Sequence, residues 1–326
     1  MARAISNWQR MLTVAVGGIT LGVNMPARAE LIYGVARGGG GQNVINKLFT
    51  FDSATPGTVN DLGNITNLGP FQYLDDIDFR PATGELYGLG YTGTVYKINV
   101  ATLVANSVGF VNGIGSGFAD GGIDFNPVSD RLRMIDGQSG FNFSFNPNTG
   151  TGQLDAMSAQ YVVGDPNQAQ SPIVAGIAYN NNVNGAASTT LFSIDIRQAA
   201  LNPPASILGT ITPPGSGDIT TVGSTGVSTS DQGGFDISGA TGTGYAAFRG
   251  TNGNTDSTFY TVNLNTGAAT AVGQIGIDTT QFLVSGISVA PAGGGNNAPL
   301  PAAAVVGPMG AVLAGMAARR WRRQLP

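Results

Sequence analysis

Apolar and polar residues alternate along much of this chain in short runs with a period of two, the pattern of strands that bury one face. The alternation is clearest in five four-residue segments whose second and fourth residues are apolar. These repeated segments are residues 76–79, 122–125, 176–179, 234–237 and 286–289. They begin 46 to 58 residues apart, a spacing typical of propellers and solenoids.

The residues after each repeated segment predict three more short strands joined by tight turns. In the second unit the predicted strands are residues 76–79, 86–89, 95–98 and 106–109. The third and fifth units repeat this order and carry Asn-Thr-Gly, a turn sequence that tolerates the left-handed conformation. The fourth unit departs from it, because Asn202, Pro203 and Pro204 follow its second strand, so we expect that blade to be distorted or to carry longer loops.

The two ends of the repeat region complement each other. Residues 31–35 and 47–51 resemble second and third strands with no repeated segment before them, whereas residues 286–289 form a repeated segment with nothing after it. Sharing one blade between the termini closes a ring and removes exposed sheet edges. We therefore predict an all-β domain at residues 30–291, a β-propeller of five four-stranded blades with one blade shared between the termini. A β-solenoid or a pair of sandwiches is the alternative, although a solenoid does not need to share a repeat.

Composition fits a turn-rich β protein and excludes several chemistries. The chain has 326 residues, of which 50 are glycine and 10% are charged, and it has no cysteine and no histidine. Disulfides, Cys or His metal sites, imidazole bases and thiolate nucleophiles are therefore excluded.

Residues 1–29 have the features of a secretory signal peptide. Arg3 and Arg10 precede an apolar stretch at residues 11–25, and Ala27-Arg28-Ala29 is a small-x-small cleavage site before Glu30. A first core strand or a membrane anchor is the alternative, but the stretch is shorter than the roughly 20 apolar residues of a spanning helix. We expect export.

The C-terminal end is predicted to be a sorting signal. A flexible linker and a Pro-Leu-Pro motif occupy residues 292–301, and an apolar segment with an Arg-rich end occupies residues 302–326. This order resembles the PEP-CTERM type of tail, in a Pro-Leu-Pro variant without the usual Glu. The resemblance implies a sorting enzyme of the exosortase type as partner, and a transient or permanent membrane contact. A plain membrane anchor is the alternative, although Pro308 and three glycines disfavour it.

Charge is distributed unevenly along the chain. Seven of the 15 basic residues lie in the two ends, whereas all 19 acidic residues lie between them, so residues 30–300 carry eight basic and nineteen acidic groups. Such a surface repels phosphate backbones, so we expect no nucleic-acid partner. Divalent cations or neutral polymers such as polysaccharide fit this charge better.

Several short motifs resemble the bacterial domain-of-unknown-function family 4394. The sequence Gly122-Ile-Asp-Phe-Asn-Pro127 is followed by residues 130–133, by Asn-Pro-Asn-Thr-Gly at 146–150 and by similar motifs at 178–181, 190–195 and 260–267. The resemblance covers nearly all of residues 30–291. It implies the propeller fold and an exported location, and it implies no particular chemistry.

Candidate chemistry is confined to carboxylates in the repeated segments. If these are the innermost strands, then Asp78, Asp124 and Asp236 recur around the central channel, and Asp76 lies beside them. Converging carboxylates bind Ca²⁺ or raise one another's pKa as a glycosidase pair does. The alternative is structural, with each Asp accepting a hydrogen bond from an amide in the adjoining turn before Pro81 or Pro127. We predict no catalytic residue and no cofactor other than calcium, with Asp76, Asp78, Asp124 and Asp236 as its ligands.

These observations predict an exported, non-catalytic propeller that acts as a binding or matrix component associated with exopolysaccharide. Its expected location is the periplasm, the outer surface or the outside of a Gram-negative bacterium. A polysaccharide hydrolase or lyase that uses channel carboxylates is the alternative.

Overall fold

The structure, a computed structural model, describes residues 29–40, 43–112, 117–118, 121–156, 158–196, 205–229, 233–250 and 256–291. The predicted signal peptide (apart from residue 29), the linker with its sorting motif, and the C-terminal segment lie outside the described residues. Within these ranges no helix is long and apolar enough to cross a membrane.

The described strands fall into five antiparallel groups of four, which we call blades. The first blade has the strand order β21 (Phe282–Val289), β1 (Leu31–Gly40), β2 (Asn43–Asp52) and β3 (Val59–Asn64). The second has β4 (Leu74–Arg80), β5 (Glu85–Gly90), β6 (Thr94–Asn99) and β7 (Val104–Phe110). The third has β8 (Gly122–Asn126), β9 (Arg131–Ile135), β10 (Asn142–Asn146) and β11 (Thr151–Ala156).

The last two blades follow the same plan. The fourth has β13 (Val174–Tyr179), β14 (Leu191–Asp195), β15 (Ile207–Ile211) and β16 (Asp218–Ser224), with the short β12 (Gln160–Tyr161) paired in parallel to β16. The fifth has β17 (Phe235–Ile237), β18 (Gly244–Arg249), β19 (Ser257–Val262) and β20 (Ala269–Gln274). One parallel pair, Thr151 with Phe110, joins the outer strands of the second and third blades into one eight-stranded sheet.

The first blade is shared between the two ends of the domain. Strand β21 pairs antiparallel with β1, from Ile32 opposite Val289 to Gly38 opposite Phe282. The five strands that contain the repeated segments contact one another in cyclic order: β21 with β4, β4 with β8, β8 with β13, β13 with β17, and β17 with β21. The predicted all-β propeller fold with a blade shared between the termini is therefore confirmed.

Apolar packing lies between consecutive blades. Among the described residues the core divides into five clusters, each built from two neighbouring blades. Aromatic pairs recur at equivalent places: Tyr33 of the first blade meets Phe79 of the second edge-to-face at 5.0 Å, and Tyr87 of the second meets Phe125 of the third at 5.0 Å. Such pairs stabilise the packing beyond the area they bury. The apolar fourth residue of each repeated segment therefore points into an inter-blade core.

Candidate site at the propeller axis

The innermost strands pack against one another through the first residue of each repeated segment. A Cβ atom on Gly122 would lie 2.6 Å from the backbone nitrogen of Ile177, and one on Gly234 would lie 2.4 Å from that of Ile287. Since real Cβ atoms do not approach backbone so closely, only glycine allows these strands to meet. At these two places the innermost strands therefore contact each other through backbone atoms.

Asp76 replaces glycine at this position in the second blade. Its Oδ1 accepts a hydrogen bond from the amide of Ile77 at 2.9 Å, and its Oδ2 accepts one from the amide of Ile123 in the third blade at 3.0 Å. Its Oδ1 also lies against Gly286, where a Cβ would come within 2.3 Å. Asp76 thus connects the first, second and third blades.

In four of the five repeated segments the third residue is polar and its side chain hydrogen-bonds the next blade. Three carboxylates accept a hydrogen bond from the amide of the fourth residue in the following segment: Asp78 from Phe125 at 2.8 Å, Asp124 from Tyr179 at 3.2 Å and Asp236 from Val289 at 2.6 Å. In the fourth blade Ala178 occupies this position. These partners differ from the structural alternative posed from the sequence, because they lie in the neighbouring innermost strand and not in the adjoining turn.

Ser288 completes this set in the first blade. Its Oγ accepts the amide hydrogen of Phe79 at 3.2 Å, and it lies 2.9 Å from Oδ1 of Asp78 and 3.1 Å from Oδ2 of Asp236. A hydroxyl group has one hydrogen to donate. Two carboxyl groups therefore share one serine proton.

Asp78, Asp124 and Asp236 converge on one point. One oxygen from each lies within 4.8 Å of the other two, and the three residues are 1%, 1% and 2% exposed. Among the residues that the structure describes, Asp76 is not a member of this close group, although it is also buried. Three of the four predicted cation ligands are thus brought together. We call Asp78, Asp124 and Asp236 the axial triad.

The axial triad lies in surroundings that oppose ionisation. Burial, followed by the charge of Asp236, raises the pKa of Asp78 well above its ordinary value, and burial followed by the charge of Asp78 does the same for Asp124. Burial also raises the pKa of Asp236, to about 6, against the lowering effect of its amide donors. The pKa of Asp76 is raised well above its ordinary value, again chiefly by burial. Buried carboxyl groups of this kind are neutralised by protons or by a bound cation.

This geometry limits the chemistry available at the axis. The oxygens of one calcium ion lie 2.3 to 2.6 Å from it, so three carboxylate oxygens within 4.8 Å of one another fit around a single ion. Hydrolysis of a polysaccharide requires carboxyl groups that a sugar and a water can reach. The triad is buried and accepts hydrogen bonds from the backbone, so its surroundings are those of a structural group.

Aromatic side chains of the repeat lie mostly in the core. Tyrosines in the strands of a propeller either form a sugar-stacking surface or pack between blades. Tyr87, Tyr96 and Tyr179 are 3%, 4% and 0% exposed, whereas Tyr260 is half-buried and packs at 5.2 Å against Phe248. The inter-blade packing role is therefore the one observed for the first three.

Two contacts that the sequence did not reveal join neighbouring blades at the end of the ring where the innermost strands finish. Arg80 of the second blade forms a two-pronged ion pair with Asp130 of the third and donates to Asn148 at 2.9 Å. Glu30 accepts hydrogen bonds from hydroxyl groups of the fifth blade, namely Ser238 at 2.5 Å, Thr241 at 3.0 Å and Tyr245 at 2.8 Å. No local sequence pattern predicts either contact, because both contacts join residues that are far apart in the chain.

A groove lies at the same end of the ring, between the fourth and fifth blades. Its volume is about 610 Å³, and residues of both blades line it. The fourth unit has a long segment between its first two strands, residues 180–190, where other units have a tight turn, and this difference is visible in the sequence.

Comparison with known proteins places the chain in a family. The model of the family described as "Domain of unknown function (DUF4394)" matches residues 47–287, so the chain belongs to that family. No curated protein matches the sequence.

Several solved structures resemble the fold at low identity. A structural genomics protein of unknown function from Bacteroides thetaiotaomicron is 15% identical, with 82% of this chain and 69% of that one covered and a TM-score of 0.45. TolB from Acinetobacter baumannii is 9% identical, with 81% and 67% covered and a TM-score of 0.43. An auxiliary nutrient binding protein from B. thetaiotaomicron is 12% identical, with 72% and 57% covered and a TM-score of 0.40.

Proposed function

We propose that this protein is an exported, non-catalytic propeller that binds polysaccharide as a component of the cell surface or extracellular matrix. The observation that carries the non-catalytic part is the burial of the axial triad, whose members are at most 2% exposed and accept amide hydrogen bonds from the next blade. A repeated Asp with a repeated backbone partner has a repeated structural role. The enzymatic alternative requires these same carboxyl groups to meet a substrate.

The binding part of the proposal rests on the net charge of residues 30–300 and on the groove between the fourth and fifth blades. Residues 30–300 carry eight basic and nineteen acidic side chains, which disfavours nucleic acids and other polyanions. Polysaccharides without charge are not repelled by such a surface. The groove between the fourth and fifth blades offers room for a ligand outside the axis.

Export is proposed from the two ends of the sequence. The signal-peptide features of residues 1–29 and the sorting-type tail of residues 292–326 support passage to the periplasm, the outer surface or the outside of a Gram-negative cell. A sorting enzyme would act on the tail, and its apolar segment would contact the membrane. Cleavage after Ala29 would retain Glu30, whose carboxylate contacts three hydroxyl groups of the fifth blade.

A calcium site formed by Asp76, Asp78, Asp124 and Asp236 is the second candidate for this position, after neutralisation by protons. Calcium would neutralise the axial triad as protons do, and it would then be a structural ion. The amide hydrogen bonds to these carboxylates favour the proton alternative, because they leave fewer oxygen lone pairs for a metal.

The experiment separates binding from catalysis in a single preparation. The purified full chain is incubated with neutral and acidic polysaccharides, and both co-sedimentation and release of reducing ends are measured. We expect co-sedimentation with a neutral polysaccharide and no release of reducing ends. Release of reducing ends that Asp78→Asn abolishes in a folded protein would establish the enzymatic alternative.

Location is tested separately. Intact-mass analysis of material from the periplasm, the cell surface and the medium should give a chain that begins at Glu30 and lacks the Arg-rich end. Recovery of the full-length chain from the cytoplasm alone would contradict the export proposal.

A further inference from the structure

The groove between the fourth and fifth blades lies at a junction that is built differently from the junction between the second and third blades. Arg80 at the end of β4 crosses to the turn of the next blade and binds Asp130. Asn180 occupies the corresponding place after β13, directly behind a repeated segment. Its Oδ1 accepts the amide hydrogen of Thr190 at 2.7 Å, and its carbonyl accepts the hydroxyl hydrogen of Thr189 at 2.6 Å. Asn180 therefore binds within its own long turn and does not cross the junction.

Both polar and apolar side chains line the groove. The polar residues that line the groove carry amide or hydroxyl groups: Asn180, Thr243, Thr261, Asn263, Asn265 and Thr270. Phe192, Val262 and Leu264 also line it, and among the residues that the structure describes no charged side chain does. Amide and hydroxyl side chains both donate and accept hydrogen bonds, and in this they match the hydroxyl groups of a sugar.

The size and position of the groove suit a ligand that lies in it without being enclosed. Its volume of about 610 Å³ lies within the range of small-molecule sites. Asn265, Ala268 and Thr270 are exposed on its rim. A segment of a longer polymer can therefore lie in the groove while the rest of the polymer continues into solvent.

We propose that this groove binds a segment of an uncharged polysaccharide, with the amide and hydroxyl side chains meeting sugar hydroxyl groups and the apolar residues meeting sugar C–H groups. This inference rests on the proposed function, because it names the site and the ligand class of the proposed binding. An acidic polysaccharide fits less well, because the described lining residues include no basic group and residues 30–300 carry more acidic than basic side chains.

The test uses two kinds of change on the rim of the groove. Ala268→Trp fills the groove with a large side chain at an exposed position, and Asn265→Ala combined with Thr270→Val removes polar groups without adding bulk. The matched control is Ala101→Trp, because Ala101 is an exposed alanine in the equivalent turn of the second blade. Melting temperature is measured for every variant, so that loss of folding is separated from loss of binding.

Binding is measured by calorimetry with neutral gluco-, manno- and galacto-oligosaccharides and with oligogalacturonate as the acidic probe. We expect the full chain to bind a neutral oligosaccharide, and both groove variants to weaken that binding at least about tenfold, the loss expected when one well-made contact disappears. Ala101→Trp should bind like the parent.

The outcomes separate this inference from the proposed function. Undiminished binding in both folded groove variants, or binding of oligogalacturonate alone, would overturn the groove proposal and leave polysaccharide binding in place. A parent protein that binds none of the probes and no polysaccharide in the co-sedimentation assay would overturn both.

Discussion

The hydroxyl oxygen of Ser288 lies 2.9 Å from Oδ1 of Asp78, although 210 residues separate the two in the chain. Ser288 belongs to β21, the last strand of the domain, and Asp78 belongs to β4 of the second blade. The same hydroxyl group accepts the amide hydrogen of Phe79. The closing strand is therefore attached to the ring by pairing with β1 and also by polar contacts at the axis.

Replacing Ser288 by alanine should lower the free energy of unfolding by about 1–3 kcal/mol, because the buried amide of Phe79 loses its acceptor and two carboxyl groups lose a donor. Urea unfolding followed by circular dichroism measures the change. Ser107→Ala, at an exposed serine of the outer strand β7, is the control and should change stability little. Equal stability of the two variants would show that the axial contacts of Ser288 contribute nothing measurable.

The axial triad should make the protein more stable at mildly acidic pH than at pH 8. The pKa of Asp236 is about 6 in the folded protein and lies near 3.9 in an unfolded chain, so between these values the folded state binds more protons. Its favourable contribution is complete below about pH 4 and is lost as pH rises to about 6, a change on the order of 3 kcal/mol. The raised pKa values of Asp78 and Asp124 extend the loss to higher pH. Urea unfolding between pH 4 and pH 8 tests this.

Asp124→Asn should reduce that pH dependence. The Asn carbonyl can still accept the amide hydrogen of Tyr179, and the change removes one ionisable group from the triad. We expect the variant to be more stable than the parent at pH 8 and similar to it near pH 4. Asp52→Asn is the matched control, because Asp52 is exposed and accepts an amide hydrogen from Ala54 in a surface turn.

Calcium distinguishes the two ways of neutralising the triad. With protons as the neutralising species, added calcium should leave the melting temperature at pH 8 unchanged. A rise with calcium in the parent that Asp124→Asn removes would show that the triad is a cation site.

The repeat explains why the fold could be read from the sequence. The predicted strands at residues 86–89 and 95–98 lie within the observed β5 and β6, because local alternation and turn residues determine such short strands. The last repeated segment, residues 286–289, has no further strands after it in the sequence. It lies in β21 and indicated the shared blade correctly. By contrast, the sequence analysis did not predict β3 or the outer strands of the fourth blade. Strand β3 is largely polar, and β15 and β16 follow Pro203 and Pro204, which interrupt the repeat pattern.

The candidate site was only partly predictable. The period of two placed Asp78, Asp124 and Asp236 on one face, and the ring brings them together. Their hydrogen-bond partners could not be predicted from nearby residues, because each lies about 50 residues away in the next blade. The contacts of Glu30 with the fifth blade span more than 200 residues and leave no local pattern at all.

Glu30 should stabilise the junction between the first and fifth blades. Glu30→Ala removes the acceptor for three hydroxyl groups, and we expect it to lower the free energy of unfolding by about 1–3 kcal/mol. Glu85→Ala is the control, because Glu85 forms an exposed ion pair with Lys97, a kind of pair that contributes little. A smaller effect at Glu30 than at Glu85 would contradict the prediction.

Loss of β21 should open the ring. A chain that ends at Gln281 lacks the strand that pairs with β1 and the residues Ser285, Ser288 and Val289, which bind other blades. The exposed edge of β1 would then be free to pair with other chains. A chain that ends at Pro291 keeps all of these contacts and should melt like the full chain, because it loses only residues beyond the last strand. We therefore expect the shorter chain to unfold at lower temperature and to aggregate, as measured by thermal circular dichroism and light scattering. Equal melting temperatures of the two truncated chains would show that the ring does not depend on the blade shared between the termini.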